Sequence, residues 1–276
     1  MTFYKIEGAG NDFVVLITPN APSETQIRQI CDRHFGVGAD GLICAHSTRP
    51  EAPTQKEQAW TWTFWNNDAS SAAMCGNAAR AMGSFFREIF PTETDFRWSG
   101  KPGTIQARYL GPNLVETSWP VSEKVESLPA SLGEWIEQQA PKGVIKAAYK
   151  IDSGVPHVVL LSEKNWDIPL RQLLGPQVRH HPALGAAGAN VTFVALESGE
   201  TVSFERGVEA ETLACGSGAL AAGMACREAQ SARTDFIFPG GILSVRREVT
   251  GLWLRGPARV VFQGEFKVPT EWRGLS

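Results

Sequence analysis

Two cysteines occupy the same place in two copies of one motif. Cys75 and Cys215 are each followed by glycine and then by a small polar residue, Asn77 or Ser217, in two runs that lie 140 residues apart. Alanine and glycine follow each cysteine at the fourth and eighth positions. This spacing places the three residues on one face of a helix, so each copy predicts a helix that begins at its cysteine and packs closely along its small residues.

A cysteine at a helix start is suited to chemistry. The first N–H groups of a helix have no partner within it, and they lie at the positive end of the helix dipole. That position lowers the pKa of a thiol, favours the reactive thiolate, and can also bind a carboxylate. A single free cysteine is usually a small buried hydrophobic residue, but repetition of the motif favours function. Cys31, Cys44 and Cys226 lack this context, and we interpret them as core or surface residues.

Two such thiols suit a racemase or an epimerase. If the halves face each other across a pseudo-two-fold axis, one thiolate and one thiol flank a cleft. The thiolate removes a proton from an α-carbon, and the opposed thiol delivers a proton to its other face. The helix N–H groups then stabilise the charge that builds on the neighbouring carboxylate.

The elements that position these residues are a mixture of strands and helices. Period-2 patterns predict a strand at residues 60–65, with Trp60, Trp62 and Phe64 on one face, and further strands near 3–6, 12–17, 104–110, 156–161, 191–196, 201–205, 252–255 and 259–263. Helices are predicted near 23–34, 76–89, 168–175 and 216–230. The proline-containing segment 118–150 is the expected connection between halves. A second internal match, between residues 10–16 and 154–160, supports an α+β protein built by duplication.

Eight segments together resemble the diaminopimelate epimerase family, which interconverts LL- and meso-diaminopimelate without a cofactor. The resemblance covers nearly the whole chain and is specific as a combination. Its segments are GAGNDF at 8–13, FGVGADG at 35–41, NNDAS at 66–70, MCGN at 74–77, DSGVPH at 152–157, ANV at 189–191, ERG at 205–207 and ETLACGSG at 211–218.

The resemblance implies a role for each matched residue. Cys75 and Cys215 become the paired acid and base, and the backbone amides of Gly76, Asn77, Gly216 and Ser217 hold the carboxylate at the reacting centre. The distal end of the substrate is received by five residues, with Arg206 gripping its carboxylate bidentately. These five are Asn11, Asn66, Asn190, Glu205 and Arg206. His157 supports the site near the thiols.

The implied fold has two similar, pseudo-symmetric halves, each a mostly antiparallel strand layer around a central helix, with the active site in the cleft between them. The expected halves are residues 1–119 and 120–263, with the segment 264–276 returning to the first half. The sequence leaves the oligomeric state open, with a homodimer as one option.

Several positions depart from the family pattern. Val155 stands where the family has an asparagine that binds the distal end of the substrate, and its loss removes hydrogen bonds worth about 1 kcal/mol each. Ala69-Ser70 replaces the common Gly-Ser, Ala81 replaces a cysteine or another small residue, and residues 206–211 have a variant spacing. Two alternatives therefore stay open: a racemase of another α-amino acid, and a catalytically silent protein that binds an amino acid.

Composition and motif context argue against other functions. Twenty-six basic against 29 acidic residues give a net charge of −3, which supplies no basic surface for nucleic acid. No apolar run is long enough to span a membrane, and nothing resembles a signal peptide, so we expect a cytoplasmic protein. The GxGxxG run at 36–41 follows a helix and precedes a strand, the reverse of a dinucleotide site. Cysteine and histidine spacing gives no zinc element, so no metal or cofactor is expected.

Overall fold

The chain divides into two compact units in the computed structural model, which describes residues 1–47, 60–72, 74–101, 103–119, 124–249 and 251–267. One unit comprises Met1–Pro120 and the chain from Arg255 onward, and the other comprises Val121–Leu254. No helix of the described segments is long and apolar enough to cross a membrane.

The first unit is a sheet that surrounds a helix. Its elements are β1 (Thr2–Gly8), β2 (Asn11–Ile17), α1 (Glu24–Cys31), β3 (Gly41–Ser47), β4 (Trp60–Asn66), β5 (Ser71–Ala72), α2 (Gly76–Ile89), β6 (Asp95–Gly100), β7 (Gly103–Gly111) and β8 (Leu114–Trp119). The strands lie in the order β8-β7-β6-β4-β3-β2-β1, and β5 pairs with β4.

The second unit repeats this plan. Its elements are β9 (Lys124–Ser127), α3 (Ala130–Gln139), β10 (Ala147–Asp152), β11 (Pro156–Ser162), α4 (Ile168–Arg179), β12 (Asn190–Ala195), β13 (Thr201–Glu205), β14 (Ala210–Glu211), α5 (Gly216–Glu228), β15 (Asp235–Phe238), β16 (Gly241–Glu248) and the first part of β17 (Gly251–Pro257), whose residues from Arg255 onward belong to the first unit. Strands β14-β13-β12-β11-β10-β9 form one sheet in that order, and β15, β16 and β17 are successive neighbours. A last strand, β18 (Arg259–Glu265), pairs with β1.

The duplication extends to the order and direction of the strands. In the first unit, β1 and β2 form an antiparallel hairpin, α1 connects β2 to the parallel strand β3, and β4 then pairs antiparallel with β3. The second unit has the same sequence of pairings. Strands β10 and β11 form the antiparallel hairpin, α4 connects β11 to the parallel strand β12, and β13 pairs antiparallel with β12. In each unit a further short strand, β5 or β14, pairs antiparallel with the strand before it and leads into the cysteine helix, α2 or α5. The prediction of an α+β protein with two similar, mostly antiparallel halves is confirmed.

Each cysteine helix lies at the centre of its unit. The first eleven residues of α2 are all buried, and this helix packs against β1, β7, β8 and β18, while α5 packs against β10, β11, β12 and β16. A Cβ atom at Gly83 would lie 2.7 Å from Val115 Cγ1, and one at Gly223 would lie 3.0 Å from Val245 Cγ1. The small residues thus permit close helix–sheet contact, as their spacing predicts.

The predicted elements differ from the observed ones at their ends, and several observed elements, among them α3, β6, β8, β15 and β16, were not predicted. Helix α1 ends at Cys31 because Asp32 is extended and its carboxylate accepts the N–H groups of His34 and Phe35. Helix α4 continues through Pro176 to Arg179. The expected connection 118–150 contains β9, α3 and β10, and residues 120–123 within it lie outside the described residues. The strand that pairs with β1 begins at Arg259, before the expected 264, and residues 268–276 also lie outside the described part.

Candidate active site

Cys75 is the N-cap residue of α2 and has an extended backbone. Its thiol is half-buried and donates to Asn11 Oδ1, which is 3.7 Å from Sγ. The same oxygen accepts from Asn77 Nδ2 at 3.4 Å. The first turn of α2 and the start of β2 are therefore joined around the thiol.

An ion network fixes the side chain of Asn11. Asn11 Nδ2 donates to Asp40 Oδ2 at 2.7 Å, so its Oδ1 is the atom that faces the thiol. Arg33 pairs with both Asp40 and Asp12, and Lys5 pairs with Asp12 at 2.6 Å. Burial acts to raise the pKa of Asp12, but the hydrogen bonds and charges of Arg33 and Lys5 outweigh it and lower that pKa to about 2.

Arg80 places a buried positive charge beneath the first turn of α2. Its guanidinium donates to Asn77 Oδ1 at 2.6 Å and to the carbonyl oxygen of Gly76 at 3.2 Å. Burial lowers the pKa of Arg80 to about 10, against the negative charges of Cys75 and Glu7, so the group stays charged at neutral pH. A fixed cation here favours negative charge at the helix start.

Cys215 is the N-cap residue of α5 and is buried. Its sulfur accepts from the backbone N–H of Gly218 at 3.3 Å and lies 3.4 Å from Ser217 Oγ. A Cβ at residue 218 would lie 2.5 Å from Ser203 Oγ, so a glycine is needed where the helix start approaches the sheet. The predicted helix starts at both cysteines are confirmed.

The expectation of a lowered thiol pKa is wrong for Cys215. Burial raises the pKa of this thiol well above its usual value, the negative charge of Glu205 adds to the rise, and the hydrogen bonds from Ser217 and Gly218 only partly offset it. Burial likewise raises the pKa of Glu205, against hydrogen bonds with Thr212 and Cys215. At neutral pH Cys215 therefore carries its proton in the unliganded protein.

His157 is fully buried and neutral beside Ser217. Burial, followed by the charge of Arg206, lowers the pKa of His157 to about 3. Asn190 Oδ1 accepts from the backbone N–H of Arg206, so Asn190 Nδ2 faces His157 Nε2 at 3.2 Å. This geometry assigns the proton of the imidazole to Nδ1, which donates to Thr192 Oγ1 at 3.0 Å. Nε2 is then an acceptor, 3.0 Å from Ser217 Oγ.

Val155 lies in the turn between β10 and β11. Its carbonyl oxygen accepts from the backbone N–H of Ser153, and Ser153 Oγ donates to the carbonyl oxygen of Ser217 at 3.0 Å. In the first unit, the corresponding turn brings Gly8 so close to Asn77 that a Cβ would lie 2.6 Å from its carbonyl oxygen. Both turns therefore lie against the first turn of a cysteine helix, which places Val155 in the group around Cys215.

The residues named from the sequence form two groups. The first group lies in the first unit and consists of Asn11, Cys75, Gly76 and Asn77. The second group lies in the second unit and consists of Val155, His157, Asn190, Glu205, Arg206, Cys215, Gly216 and Ser217. Asn66 ends β4, and its amide donates to Ser70 Oγ within its own turn. That turn contacts the first group only indirectly. The backbone N–H of Asn67 donates to the carbonyl oxygen of Asp40, and the carboxylate of Asp40 accepts from Asn11.

Several polar residues of the site were missing from the sequence prediction. They are Asp40 and Arg80 in the first unit, and Thr192, Ser203 and Thr212 in the second. A signal was available for two of them, because Thr192 follows Asn190 by two residues and Ser203 precedes Glu205 by two, which places each pair on one face of a strand.

Comparison with known proteins finds named enzymes that are similar over most of the chain. The family model for diaminopimelate epimerase matches residues 3–113. A diaminopimelate epimerase of Helicobacter pylori (strain Shi470) is 33% identical over 234 residues, which are 82% of this chain and 81% of that protein. Those of Hydrogenobaculum sp. and Xylella fastidiosa (strain M23) are 30% and 33% identical, over 96% and 95% of this chain and 98% and 95% of theirs.

Solved structures share the fold at low identity. A protein described as a predicted epimerase from Pseudomonas aeruginosa has a TM-score of 0.71 at 12% identity, over 97% of this chain and 99% of that one. A hydroxyproline epimerase from Agrobacterium vitis has a TM-score of 0.59 at 12% identity, over 96% and 91%. These similarities bear on the fold alone.

Proposed function

Since the chain belongs to the diaminopimelate epimerase family, we propose that it interconverts LL- and meso-diaminopimelate with Cys75 and Cys215 as acid and base. The observation that carries the assignment of these two residues is their shared position. Each cysteine is the N-cap of a buried central helix at the same place in a duplicated unit. The other three cysteines have no such position; Cys226, for example, is buried within the body of α5.

The mechanism is a proton exchange at one carbon. The thiolate of one cysteine removes the α-proton, and the electron pair of the broken C–H bond delocalises into the adjacent carboxylate. The thiol of the other cysteine then gives its proton to the opposite face of the carbon. After a turnover the two cysteines have exchanged protonation states, so the reverse reaction uses them in opposite roles.

The first turns of α2 and α5 supply the electrostatic stabilisation. Backbone N–H groups of Gly76, Asn77, Gly216 and Ser217 would donate to the carboxylate at the reacting carbon as its charge grows. The buried guanidinium of Arg80 adds a positive charge under one of these turns. Because the donors are fixed before the reaction, little reorganisation is needed in the transition state.

The distal amino-acid group of the substrate would be recognised by polar side chains. Arg206 is the proposed partner of its carboxylate, with Asn11, Asn66, Asn190 and Glu205 receiving the rest. Support comes from Asn190, whose side chain accepts the N–H of Arg206 and so joins two of the proposed residues. The two domains would be residues 1–119 with the returning C-terminal chain, and residues 120–263, each contributing one cysteine.

A second candidate function rests on Val155. This apolar side chain replaces an amide expected to bind the distal end, which favours a smaller or less polar amino acid as substrate. Rates of α-proton exchange in D₂O, measured for diaminopimelate and for a panel of amino acids, separate the two functions. The preferred substrate is the one that exchanges with the highest kcat/KM.

Replacement of either cysteine tests the two-base mechanism. We expect Cys75→Ala and Cys215→Ala each to lose at least about 10³-fold in epimerisation, because one of the two proton transfers has no group to perform it. Cys226→Ala is the matched control, a buried cysteine of the same helix as Cys215, and should retain activity. Substantial epimerisation by either single active-site variant would rule out the mechanism.

The chemistry also bears on the location of the protein. All five cysteines, each within the described segments, are thiols. A two-thiol mechanism needs both active-site cysteines reduced, and the cytoplasm maintains that state. We therefore include a cytoplasmic location in the proposal.

A further inference from the structure

The loop that carries Arg206 has an unusual residue at its end. Strands β13 and β14 form a hairpin in which Glu205 pairs with Ala210, so residues 206–209 form its four-residue loop. Two loop residues have left-handed backbones, Gly207 with φ 82° and Glu209 with φ 56°. Glycine adopts this conformation at no steric cost, whereas glutamate does not. Something other than the backbone must therefore account for glutamate at position 209.

The carboxylate of Glu209 is held from three sides. Its Oε1 accepts from the backbone N–H of Gly207 at 3.0 Å and from Arg179 Nη2 at 2.9 Å, and its Oε2 lies 2.9 Å from His180 Nε2. Arg179 and His180 lie at the carboxyl end of α4. The tip of the loop is thus fixed to a helix, and the Arg179 side chain that holds it is nine-tenths buried.

Arg179 also holds the segment that leads to Asn190. Its Nη1 donates to the carbonyl oxygen of Ala187 at 3.1 Å, and its own carbonyl oxygen accepts from the N–H of Ala189. Asn190 in turn accepts the backbone N–H of Arg206 at 2.8 Å. The contacts form a closed ring: Asn190 fixes the start of the loop, Glu209 fixes its end, and Arg179 connects the two.

We propose that Glu209, through Arg179 and His180, is a positioning residue that holds the Arg206 loop in the conformation that receives the distal carboxylate of the substrate. This inference rests on the proposed role of Arg206. The hairpin is held a second time by the ion pair of Arg171 with Glu211, 3.1 Å apart, so loss of Glu209 frees only the loop. Without Glu209, Arg206 must be ordered when the substrate binds, which weakens binding without altering the proton transfers.

Glu209→Gly separates this role from a merely structural one. Glycine relieves the left-handed backbone and removes the clamp, so we expect KM for diaminopimelate to rise roughly tenfold while kcat stays within about twofold. Loss of the counter-charge of Arg179, whose side chain is nine-tenths buried, should lower the midpoint of urea unfolding, so KM and kcat are measured under conditions in which the variant is fully folded. Glu209→Gln, which keeps a hydrogen-bond acceptor but no charge, should show a smaller rise in KM. Glu163→Gln, which breaks an exposed ion pair with Lys146 elsewhere in the unit, is the control and should leave KM unchanged.

Arg206→Gln shows which proposal fails. If its KM equals that of the unaltered protein, the assigned role of Arg206 is wrong. If its KM rises but both Glu209 variants stay within twofold of the unaltered protein, the clamp alone is wrong. In the Arg206→Gln background, Glu209→Gly should add nothing, because the residue it positions is gone. Should Glu209→Gly fail to fold, Glu209→Gln decides by the same KM criterion.

Discussion

Gly83 in α2 and Gly223 in α5 face the sheets, and their replacement by alanine tests quantitatively how tightly each cysteine helix is packed. In Gly83→Ala, the new methyl group would lie 2.7 Å from Val115 Cγ1 and 3.1 Å from Ala107 Cβ. Overpacking of this kind costs about 1–3 kcal/mol, against a gain of about 0.5–1 kcal/mol from replacing glycine in a helix. We expect a net loss of about 1–2 kcal/mol in the free energy of unfolding.

The equivalent change in the second unit should be milder. A methyl group at Gly223 meets Val245 at 3.0–3.1 Å, which requires a shift of only a few tenths of an ångström, so we expect a net effect near zero. Gly133→Ala in α3 is the control, because nothing lies within 4 Å of its Cβ position. That variant should gain about 0.5–1 kcal/mol.

Urea unfolding followed by tryptophan fluorescence, with kcat/KM measured in parallel, checks these values. Gly83→Ala should also lose activity several-fold, because small displacements of a catalytic group are costly and α2 begins at Cys75. The order of stability should be Gly133→Ala, then Gly223→Ala, then Gly83→Ala. If Gly83→Ala is as stable as Gly133→Ala, the close packing of α2 on β7 and β8 is not as the structure has it.

Two further predictions concern the second unit. Glu205→Gln removes a negative charge beside Cys215 and should lower the pKa of that thiol, so that its alkylation by iodoacetamide, measured in a Cys75→Ala background, begins at lower pH. An unchanged pH profile would mean that Glu205 does not act on the thiol. Val155→Asn restores an amide near the first turn of α5 and should lower KM for diaminopimelate roughly fivefold, the effect of one hydrogen bond of about 1 kcal/mol. Val155→Ala should not lower it, and equal KM values in both variants would place Val155 away from the substrate.

Local sequence patterns predicted the parts of the fold that depend on periodicity. The start of α2 at Gly76 followed from a small-residue spacing that packing imposes, and the alternation in β4 appears as buried Trp60, Trp62 and Phe64. Family resemblance from scattered motifs is confirmed by the relatives found. Helix α3 was missed because its apolar signal is short: Leu132 and Ile136 are its two buried residues, in a segment rich in proline and charge.

Electrostatics at the site could not be read from the sequence. A helix start predicts a lowered thiol pKa only if the thiol stays partly solvated, and burial of Cys215 beside Glu205 reverses the direction. Nor does sequence show that Asn11 is oriented by Asp40, or that Asn190 sets the tautomer of His157. These relations depend on distances between residues that are 29 and 33 positions apart along the chain.

The duplication gives the two cysteines the same position but not the same surroundings. Cys75 faces an amide oxygen and lies near the fixed cation of Arg80, whereas Cys215 accepts from the backbone N–H of Gly218 and lies beside the carboxyl group of Glu205. A two-base epimerisation needs one thiolate and one thiol at the start of each turnover, and two identical sites would offer no preference between the two arrangements. Burial and the charge of Glu205 favour the protonated form of Cys215, whereas the buried guanidinium of Arg80 favours negative charge at the start of α2. Divergence around a repeated helix start thus distinguishes the two thiols that the proposed mechanism uses, and the forward and reverse reactions would start from protonation states of unequal free energy.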